Sequence, residues 1–305
     1  MTKYIKAKQV NLFVDEAVIQ SSTSCTLALT ANTADAASKT DLGDGMWDNP
    51  AFVNYSWTMS NESFVADIEA LSLLLMKMIY GDAKVAVVMQ DEDNFFLEGS
   101  AIVTQLQLNA PNGDNATMSL SLEGSGSLAL ESNMKIDVVL QKTNPIKGKA
   151  LMLALKLGGT SYRTIAGSTG HSLTVSLQTA DVSTKDEIDT SIEKEVTGKS
   201  ISLSTENLIA MSPGEGVGVY DLMEALMQGT PVEMSFGYYS SAVGAESAVQ
   251  DWGASSRLLV NGTFLVSSLS VNASNKDNAT YSAEFSGQGA PTVTGPSPAN
   301  EEGGE

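Results

Sequence analysis

The sequence predicts a mainly β fold made of two tandem copies of one sandwich or barrel domain, each with one flanking α-helix. The first observation behind this prediction is an internal repeat. Residues 99–126 and 262–289 match without a gap at an offset of 163 residues, and both close with Gly-x-Gly. The second observation is that each half contains several short runs of alternating apolar and polar residues but a single helical stripe.

Upstream of this repeat the two halves also agree, at a smaller offset of 146 residues. Leu27 and Thr33 correspond to Leu173 and Thr179, for example. Asn144-Pro145 has the composition of a linker between the copies. The predicted divisions are a first domain over residues 1–144, a second domain over residues 145–290, and a flexible C-terminal tail over residues 291–305, which are rich in Pro, Gly and Glu.

Each half begins with a hairpin and an alternating strand, followed by a long polar segment and another strand. In the second copy Leu173, Val175 and Leu177 alternate with small polar residues, which is the period of a half-buried strand. The predicted elements of the two copies are the hairpins 10–19 and 151–165, the strands 24–30 and 172–179, the polar segments 31–54 and 180–198, and the strands 55–60 and 200–204.

One amphipathic helix follows in each half. In the first copy an apolar stripe that includes Leu71, Leu75 and Met78 ends at Gly81. In the second copy a shorter stripe ends at Gly229, and Asp221 is the expected N-terminal cap. A glycine after the last apolar residue is a common helix stop, so both helices are expected to lead directly into a strand.

The final hairpin of each half contains the repeated pattern Asn-Ala-x-Asn-x-Asp-Asn-Ala-Thr at its turn. One side of its strands is apolar, and we interpret that side as core. The other side is small, neutral to acidic and free of lysine and arginine. The residues of this polar side are Gln105, Gln107, Ser119, Ser121, Glu123, Ser268, Ser270, Ser282 and Glu284.

The composition excludes several functional classes. There are 36 acidic and 17 basic residues, a net charge of −19, which opposes tight binding to nucleic acid phosphates and to anionic membranes. One cysteine and one histidine cannot form an intrachain disulfide, a cysteine-rich zinc site or a multi-histidine metal centre. The longest apolar stretch, residues 71–80, is too short to cross a bilayer.

The sequence predicts no enzyme, and no catalytic, cofactor-binding or metal-ligating residue. His171, with Ser168 and Asp181, is the strongest catalytic candidate, but it corresponds to Cys25 in the first copy. A catalytic base has no reason to be replaced in its own duplicate, so a structural role is the simpler interpretation. The acidic run 91–94 lacks the spacing of a calcium-binding loop.

Together these features resemble the phage major tail tube protein family. Residues 155–169 are similar to the opening hairpin of that family, and residues 33–41 with Trp47 are similar to its long loop. The single helix that ends in glycine before a strand is a third similarity. Residues 98–126, which form the final hairpin of the first copy, are the most specific match.

The resemblance implies a structural protein of the virion tail, made in the cytoplasm of the bacterial host. Family members carry one such domain and form six-membered rings, which stack into a hollow tube for DNA. Two domains per chain then imply a trimeric ring with pseudo-sixfold symmetry. The expected partners are copies of the chain itself, a tape-measure protein and a tail terminator, while DNA passes without tight binding.

On this basis the nine polar residues of the final hairpins are expected to face the lumen of the tube. The long polar segments are expected to contact the neighbouring ring. The residues we single out there are Lys39, Asp41, Asp44, Trp47, Lys185 and Asp186.

Two other functions remain open at the level of sequence. A contractile or injection machine could use the same fold for a tube that passes protein. A duplicated β-sandwich could instead be a decoration module on a capsid or a cell surface, in which case the chain would not form tubes.

Overall fold

A computed structural model describes residues 10–15, 17–35, 50–90, 96–130, 144–157, 161–182, 191–210, 216–238, 258–275 and 277–295. The first half contains β1 (Asn11–Val14), β2 (Ala17–Val18), β3 (Ser22–Asp35), β4 (Pro50–Phe64), α1 (Ile68–Tyr80), β5 (Lys84–Gln90), β6 (Phe96–Pro111) and β7 (Thr117–Leu130). The second half contains a 3-10 turn (Gly148–Ala150), β8 (Leu151–Lys156), β9 (Arg163–Thr164), β10 (Ser168–Asp181), β11 (Lys194–Leu208), α2 (Val219–Gln228), β12 (Val232–Tyr238), β13 (Leu259–Asn272) and β14 (Thr280–Thr294). The prediction of a mainly β fold with one helix in each copy is confirmed.

Several strands are longer than predicted. β3 continues to Asp35 and β4 begins at Pro50, so these two strands take up much of the expected polar segment 31–54. Both sides of this extension are exposed, and Asn32 Nδ2 donates to Asn54 Oδ1 at 2.6 Å. Its apolar residues Phe52 and Val53 are adjacent rather than alternating, and both are exposed, so the sequence pattern did not reveal a strand here.

Eight long strands form one continuous antiparallel sheet in the order β3-β4-β7-β6-β10-β11-β14-β13. We call this the eight-strand sheet. The two copies meet within it, where β6 of the first copy pairs with β10 of the second from Pro111↔Gly170 to Gln105↔Ser176. The shorter strands β2-β1-β5 extend from the first half of β6, and β9-β8-β12 extend from the first half of β13.

A bulge allows β6 to change partners along its length, and β13 carries the equivalent bulge. β6 pairs with β5 as far as Ile102, shifts register against β7 between Val103 and Gln105, and then pairs with β10. β13 has the corresponding shift between Val266 and Ser268. Because a bulge turns the strand locally, one strand can serve two differently directed groups of strands.

The helices close the core beside these strands. α1 begins after Asp67, whose carboxylate accepts hydrogen bonds from the backbone N–H groups of Glu69 and Ala70 at 2.9 and 3.1 Å. It buries Leu71, Leu75 and Met78. This capping and burial agree with the stripe seen in the sequence.

Asp221 caps the start of α2, as the sequence indicated, but from inside the first turn. The N-cap is Gly218, and Asp221 is the third helical residue. Its carboxylate accepts a hydrogen bond from the Gly218 N–H at 2.8 Å. Asp221 therefore still stabilises the helix start, by reaching back from inside the first turn.

Packing requires the first glycine of each repeated Gly-x-Gly, and backbone conformation favours the second. A Cβ on Gly124 would lie 2.2 Å from Cε2 of Trp57, a buried residue of the adjacent strand whose Nε1 donates to Gly126 O at 3.1 Å. In the second copy a Cβ on Gly287 would lie 2.3 Å from Ile201 Cγ2. The second glycine of each pair has positive φ, 88° and 78°.

His171 lies in a group of polar side chains near the start of β10. Its Nδ1 is 3.1 Å from Thr205 Oγ1 and its Nε2 is 3.0 Å from Ser168 Oγ, while Thr205 Oγ1 donates to Asn207 Oδ1 at 2.9 Å. Burial disfavours the charged imidazolium and lowers the pKa of His171 from 6.5 to about 4. His171 is therefore neutral at pH 7, with hydroxyl partners for both ring nitrogens.

The end of the second domain lies beyond the expected residue 290. β14 continues to Thr294, where Leu259 of β13 pairs with it. Tyr80 Oη accepts from the Val293 N–H at 2.8 Å and donates to Pro291 O at 3.2 Å. These contacts hold residues 291–295 against α1, although their Pro- and Gly-rich composition suggested a tail. The rest of the expected tail lies outside the described residues.

We predict that Gly124→Ala lowers the free energy of unfolding by roughly 1–3 kcal/mol, because the added methyl must displace the Trp57 indole from a closely packed site. Urea unfolding of the unassembled chain would measure this change. Gly113→Ala is the matched control, because a Cβ there would have no atom within 4 Å. Equal stability of the two variants would contradict the packing explanation.

We predict that His171 makes the chain less stable as the pH falls from about 6.5 towards 4. The pKa of His171 in the folded chain is below its unfolded value of 6.5. Its contribution to the free energy of unfolding is therefore complete above pH 6.5. On acidification that contribution falls by up to about 1.4 kcal/mol per pH unit, and it levels off below the native pKa. His171→Gln cannot titrate. The difference in unfolding free energy between this variant and the wild type should therefore vary with pH, and a constant difference would contradict the prediction.

Candidate assembly surface

The polar residues singled out in the sequence lie on one face of the eight-strand sheet. Gln105 is opposite Ser121 of β7 and Ser176 of β10, and Gln107 is opposite Ser119 and Thr174. The alternate residues of the same strands, such as Leu106, are buried in the core. Of the nine, Gln105, Ser268, Ser270, Ser282 and Glu284 are exposed, and Gln107, Ser119, Ser121 and Glu123 are half-buried.

This polar face continues without interruption from one copy to the other. Hydroxyl-bearing residues of β10 and β11 extend the rows begun by β6 and β7, and Ser172 Oγ lies 2.7 Å from Ser204 Oγ. Ser204 is opposite Glu284, whose Oε2 accepts from Ser268 Oγ at 3.1 Å. The surface is therefore a broad area of small hydroxyls, amides and occasional carboxylates.

One cation, which the hairpin sequences did not indicate, approaches this face. Lys194 Nζ lies 2.9 Å from Glu123 Oε1 and 2.8 Å from Asp181 Oδ1, and Thr179 Oγ1 donates to Glu123 Oε2 at 2.6 Å. Burial by itself would lower the pKa of Lys194, but its hydrogen bonds to Asp181 and Glu123 outweigh burial and raise it. Lys194 is on β11, so only the fold brings it to Glu123.

The eight-strand sheet ends in two strand edges. Among the described residues β3 pairs only with β4, and β13 from Leu265 onwards pairs only with β14. By the repeat, these two edges correspond to β10 and to the second half of β6, which pair with each other inside the chain. Each free edge is therefore equivalent to a strand that already has a partner in the other copy.

Exposed apolar side chains mark both edges. Leu29 of β3 is 59% exposed and Val271 of β13 is 46% exposed. Their counterparts in the internal β6–β10 pair are Val175 and Leu108, which are 2% and 0% exposed. Large apolar side chains that are exposed at one site and buried at its repeat indicate a surface that another molecule covers.

The residues predicted to contact a neighbouring ring lie outside the described residues. These are Lys39, Asp41, Asp44, Trp47, Lys185 and Asp186. The strands that lead into their segments are described: β3 and β4 pair as far as Asp35↔Pro50, and β10 and β11 as far as Asp181↔Lys194. The two segments therefore leave equivalent ends of the two copies.

The strongest catalytic candidate of the sequence is not assembled as a triad. His171 contacts Ser168, but its other neighbour is Thr205, and Asp181 lies at the opposite end of β10 in the ion pair with Lys194. Within the described ranges no group of three His, Cys, Asp or Glu residues could hold a metal ion. Neither helix in the described part of the chain is long and apolar enough to cross a membrane.

The model of a family described as "Phage tail tube protein" matches the chain twice, over residues 18–129 and 145–293. Similar solved structures include a chain from the tail of an empty GTA particle computed with C6 symmetry, at 21% identity and TM-score 0.37. Another is from the virion of a native gene transfer agent particle, at 19% identity and TM-score 0.35. Each similarity covers 48% of this chain and 98% of the other. No curated protein matches the chain.

Both family matches fall on the repeat seen in the sequence, and together they cover most of the chain. The resemblance inferred from the hairpin motifs is thereby confirmed. The chain belongs to the phage tail tube protein family, carries the tube domain in tandem, and is a structural protein of the virion tail.

Proposed function

We propose that three chains form a closed ring and that these rings stack into a hollow tube for DNA passage. The observation that carries this proposal is that one chain contains both a completed β6–β10 joint and the two unpaired edges needed to repeat it. β-Strand addition between chains would satisfy the main-chain groups of both edges.

The internal joint supplies the register of the proposed joint between chains. Inside the chain Leu173 is opposite Leu108 and Val175 is opposite Leu106. Transferred through the repeat, these pairs become Leu27 of one chain opposite Val271 of the next, and Leu29 opposite Leu269. The exposure of Leu29 and Val271 supports this register, because the transferred pairs would bury both side chains as their counterparts are buried.

The tandem duplication supports three chains per ring. Each chain supplies two equivalent domains and eight long strands, so three chains provide the six domain positions expected for the family. The internal joints and the joints between chains then alternate around the ring. This arrangement leaves no strand edge of the eight-strand sheet exposed, which protects an otherwise aggregation-prone surface.

We further propose that the polar face of the eight-strand sheet lines the lumen. Its described hydroxyls, amides and carboxylates offer DNA no cluster of cations, and the lysine that approaches it, Lys194, is paired with two acids. A net charge of −19 adds general repulsion of phosphate. Such a wall would let DNA pass without holding it, and the role is structural rather than enzymatic.

The segments between β3 and β4 and between β10 and β11 are proposed to contact the next ring. They leave equivalent ends of the two copies, so in a ring they would form one rim. The tape-measure protein inside the tube and a terminator at its end are the other proposed partners, on the basis of family membership.

We predict that an electron microscopy reconstruction of assembled tubes shows three chains around the axis. Gln105 and Ser268 should face the channel, and residues 36–49 and 183–190 should contact the adjacent ring. Six chains around the axis would contradict the trimeric ring. Discrete, monodisperse particles in place of tubes would contradict the tube function and support a decoration module.

We predict that Leu29→Asp and Val271→Asp each prevent ring closure, because either change places a carboxylate where the joint would bury an apolar pair. Sedimentation should show isolated chains, and microscopy should show few or no tubes. Both side chains are exposed in the single chain, so its thermal unfolding should change little.

Ser282→Asp is the control for these two variants. It adds the same charge on the polar face, on β14, which is one strand in from the free edge of β13 and outside the apolar pairs of the joint, so tubes should still form. Normal tubes from Leu29→Asp and Val271→Asp would contradict the proposed joint.

A further inference from the structure

We propose a second contact between neighbouring chains, in which α2 of one chain packs on the end of β7 of the next and Met227 lies against Leu130. This inference rests on the ring proposed above. It adds an interaction surface outside the eight-strand sheet, formed by a helix and a strand end that have no such partner among the described residues of their own chain.

The internal joint again supplies the geometry. α1 of the first copy packs on the end of β14 in the second copy, where Tyr80 makes its two hydrogen bonds to Pro291 and Val293. One and two turns earlier on the same side of α1, Met76 and Ser72 lie close to Gly295. The contact therefore uses one side of the helix and the last residues of a long strand.

The repeat assigns the corresponding residues between chains. Gly99 and Gly262 are equivalent in the repeat, and their partners are Val87 in β5 and Met234 in β12. Val87 therefore corresponds to Met234, and we apply this offset of 147 residues to the helices that precede these strands. The buried residues of the two helices fall into register at this offset, with Leu75 on Leu222 and Met78 on Ala225. Tyr80 then corresponds to Met227.

The strand ends are assigned in the same way. Leu97 is opposite Leu130 in the first copy, and Val260 is opposite Val293 in the second, which keeps the offset of 163 residues. Leu130 therefore corresponds to Val293. Both assignments place the α2 contact in the same pair of neighbouring chains that the β13–β3 joint would bring together.

Exposure supports the assignment independently of the alignment. Leu130 is 83% exposed and Met227 is 78% exposed, two of the most exposed large apolar residues in the described part of the chain. Val293, in contrast, is half-buried and packs against the core. The proposed occupant of this surface is a second copy of the chain, because one chain supplies Met227 and its neighbour supplies Leu130.

The two kinds of joint also differ in charge. Inside the chain Lys194 bonds Glu123, and Lys199 Nζ donates to the carbonyl oxygens of Ile79 and Gly81 at the end of α1. The residues at the corresponding positions between chains are Pro50, Ser286 and Tyr55, none of which is charged. Met227 likewise replaces the hydrogen-bonding Tyr80. The proposed joint between chains is therefore the uncharged counterpart of a charged internal joint.

The test is a charge exchange across the proposed contact. Met227→Lys and Leu130→Glu should each raise the critical concentration for tube assembly by about tenfold or more, because each leaves a charge against an apolar partner. The double variant places the two opposite charges together and should recover most of the assembly. Light scattering and microscopy at equal protein concentration would measure tube assembly by the two single variants and the double variant.

Leu73→Lys is the matched control, because Leu73 is an exposed apolar residue of α1 outside the proposed contact, and this variant should assemble like the wild type. Wild-type chains that form no rings or tubes would refute the proposed function itself. If Val271→Asp blocks assembly while Met227→Lys and Leu130→Glu do not, the ring stands and this contact is wrong. A double variant that assembles no better than either single variant would also overturn the pairing of these two residues.

Discussion

The main-chain pairing of β6 with β10 is the interaction on which the rest of the molecule depends. It joins two copies of one domain into a single sheet, aligns their polar faces, and leaves an edge at each end that is unpaired among the described strands. Seven residue pairs from Gln105↔Ser176 to Pro111↔Gly170 fix the register, and the burial of Leu108 and Val175 at this joint makes a one-residue slip unfavourable, since a slip would turn these side chains to the polar face. The same constraint defines what a second chain must supply.

The bulge in β6 makes this joint possible, and β13 carries an equivalent bulge. A straight strand paired with β5 along its whole length would leave no edge for β10. The register shift near Thr104 redirects the second half of β6, and the corresponding shift in β13 leaves Leu265–Asn272 available on one side. The Gly-x-Gly of β7 and β14 lies beside these bulges. Its first glycine leaves space for Trp57 in the first copy and for Ile201 in the second, and its second glycine adopts positive φ. These features are found in both copies, which indicates that the register shift belongs to the domain rather than to one half.

The repeat, the alternating strands and the helical stripes could be predicted from the sequence because each depends on local periodicity. The polar side of the final hairpins could be assigned for the same reason. The pairing of Lys194 with Glu123 could not, since the two residues are brought together only by the order of strands in the sheet. The extension of β3 and β4 could not be predicted because it is exposed and lacks apolar alternation, with Phe52 and Val53 adjacent. The packing of residues 291–295 depends on Tyr80, more than 200 positions earlier. The exposure of Leu29, Val271, Leu130 and Met227 becomes informative only when the structure shows that their repeats are buried or in contact.

Fusion of two domains also has a consequence for how an assembly can grow. Half of the joints in a ring built from such chains are formed during the folding of one polypeptide and do not depend on concentration, whereas the other half form only when chains meet. Fewer encounters are needed to close the circle, and a ring made of whole chains always contains an even number of domains. In the proposed ring the two kinds of joint are encoded by different residues, so mutation could change the strength of chain association while the connection inside each chain is preserved.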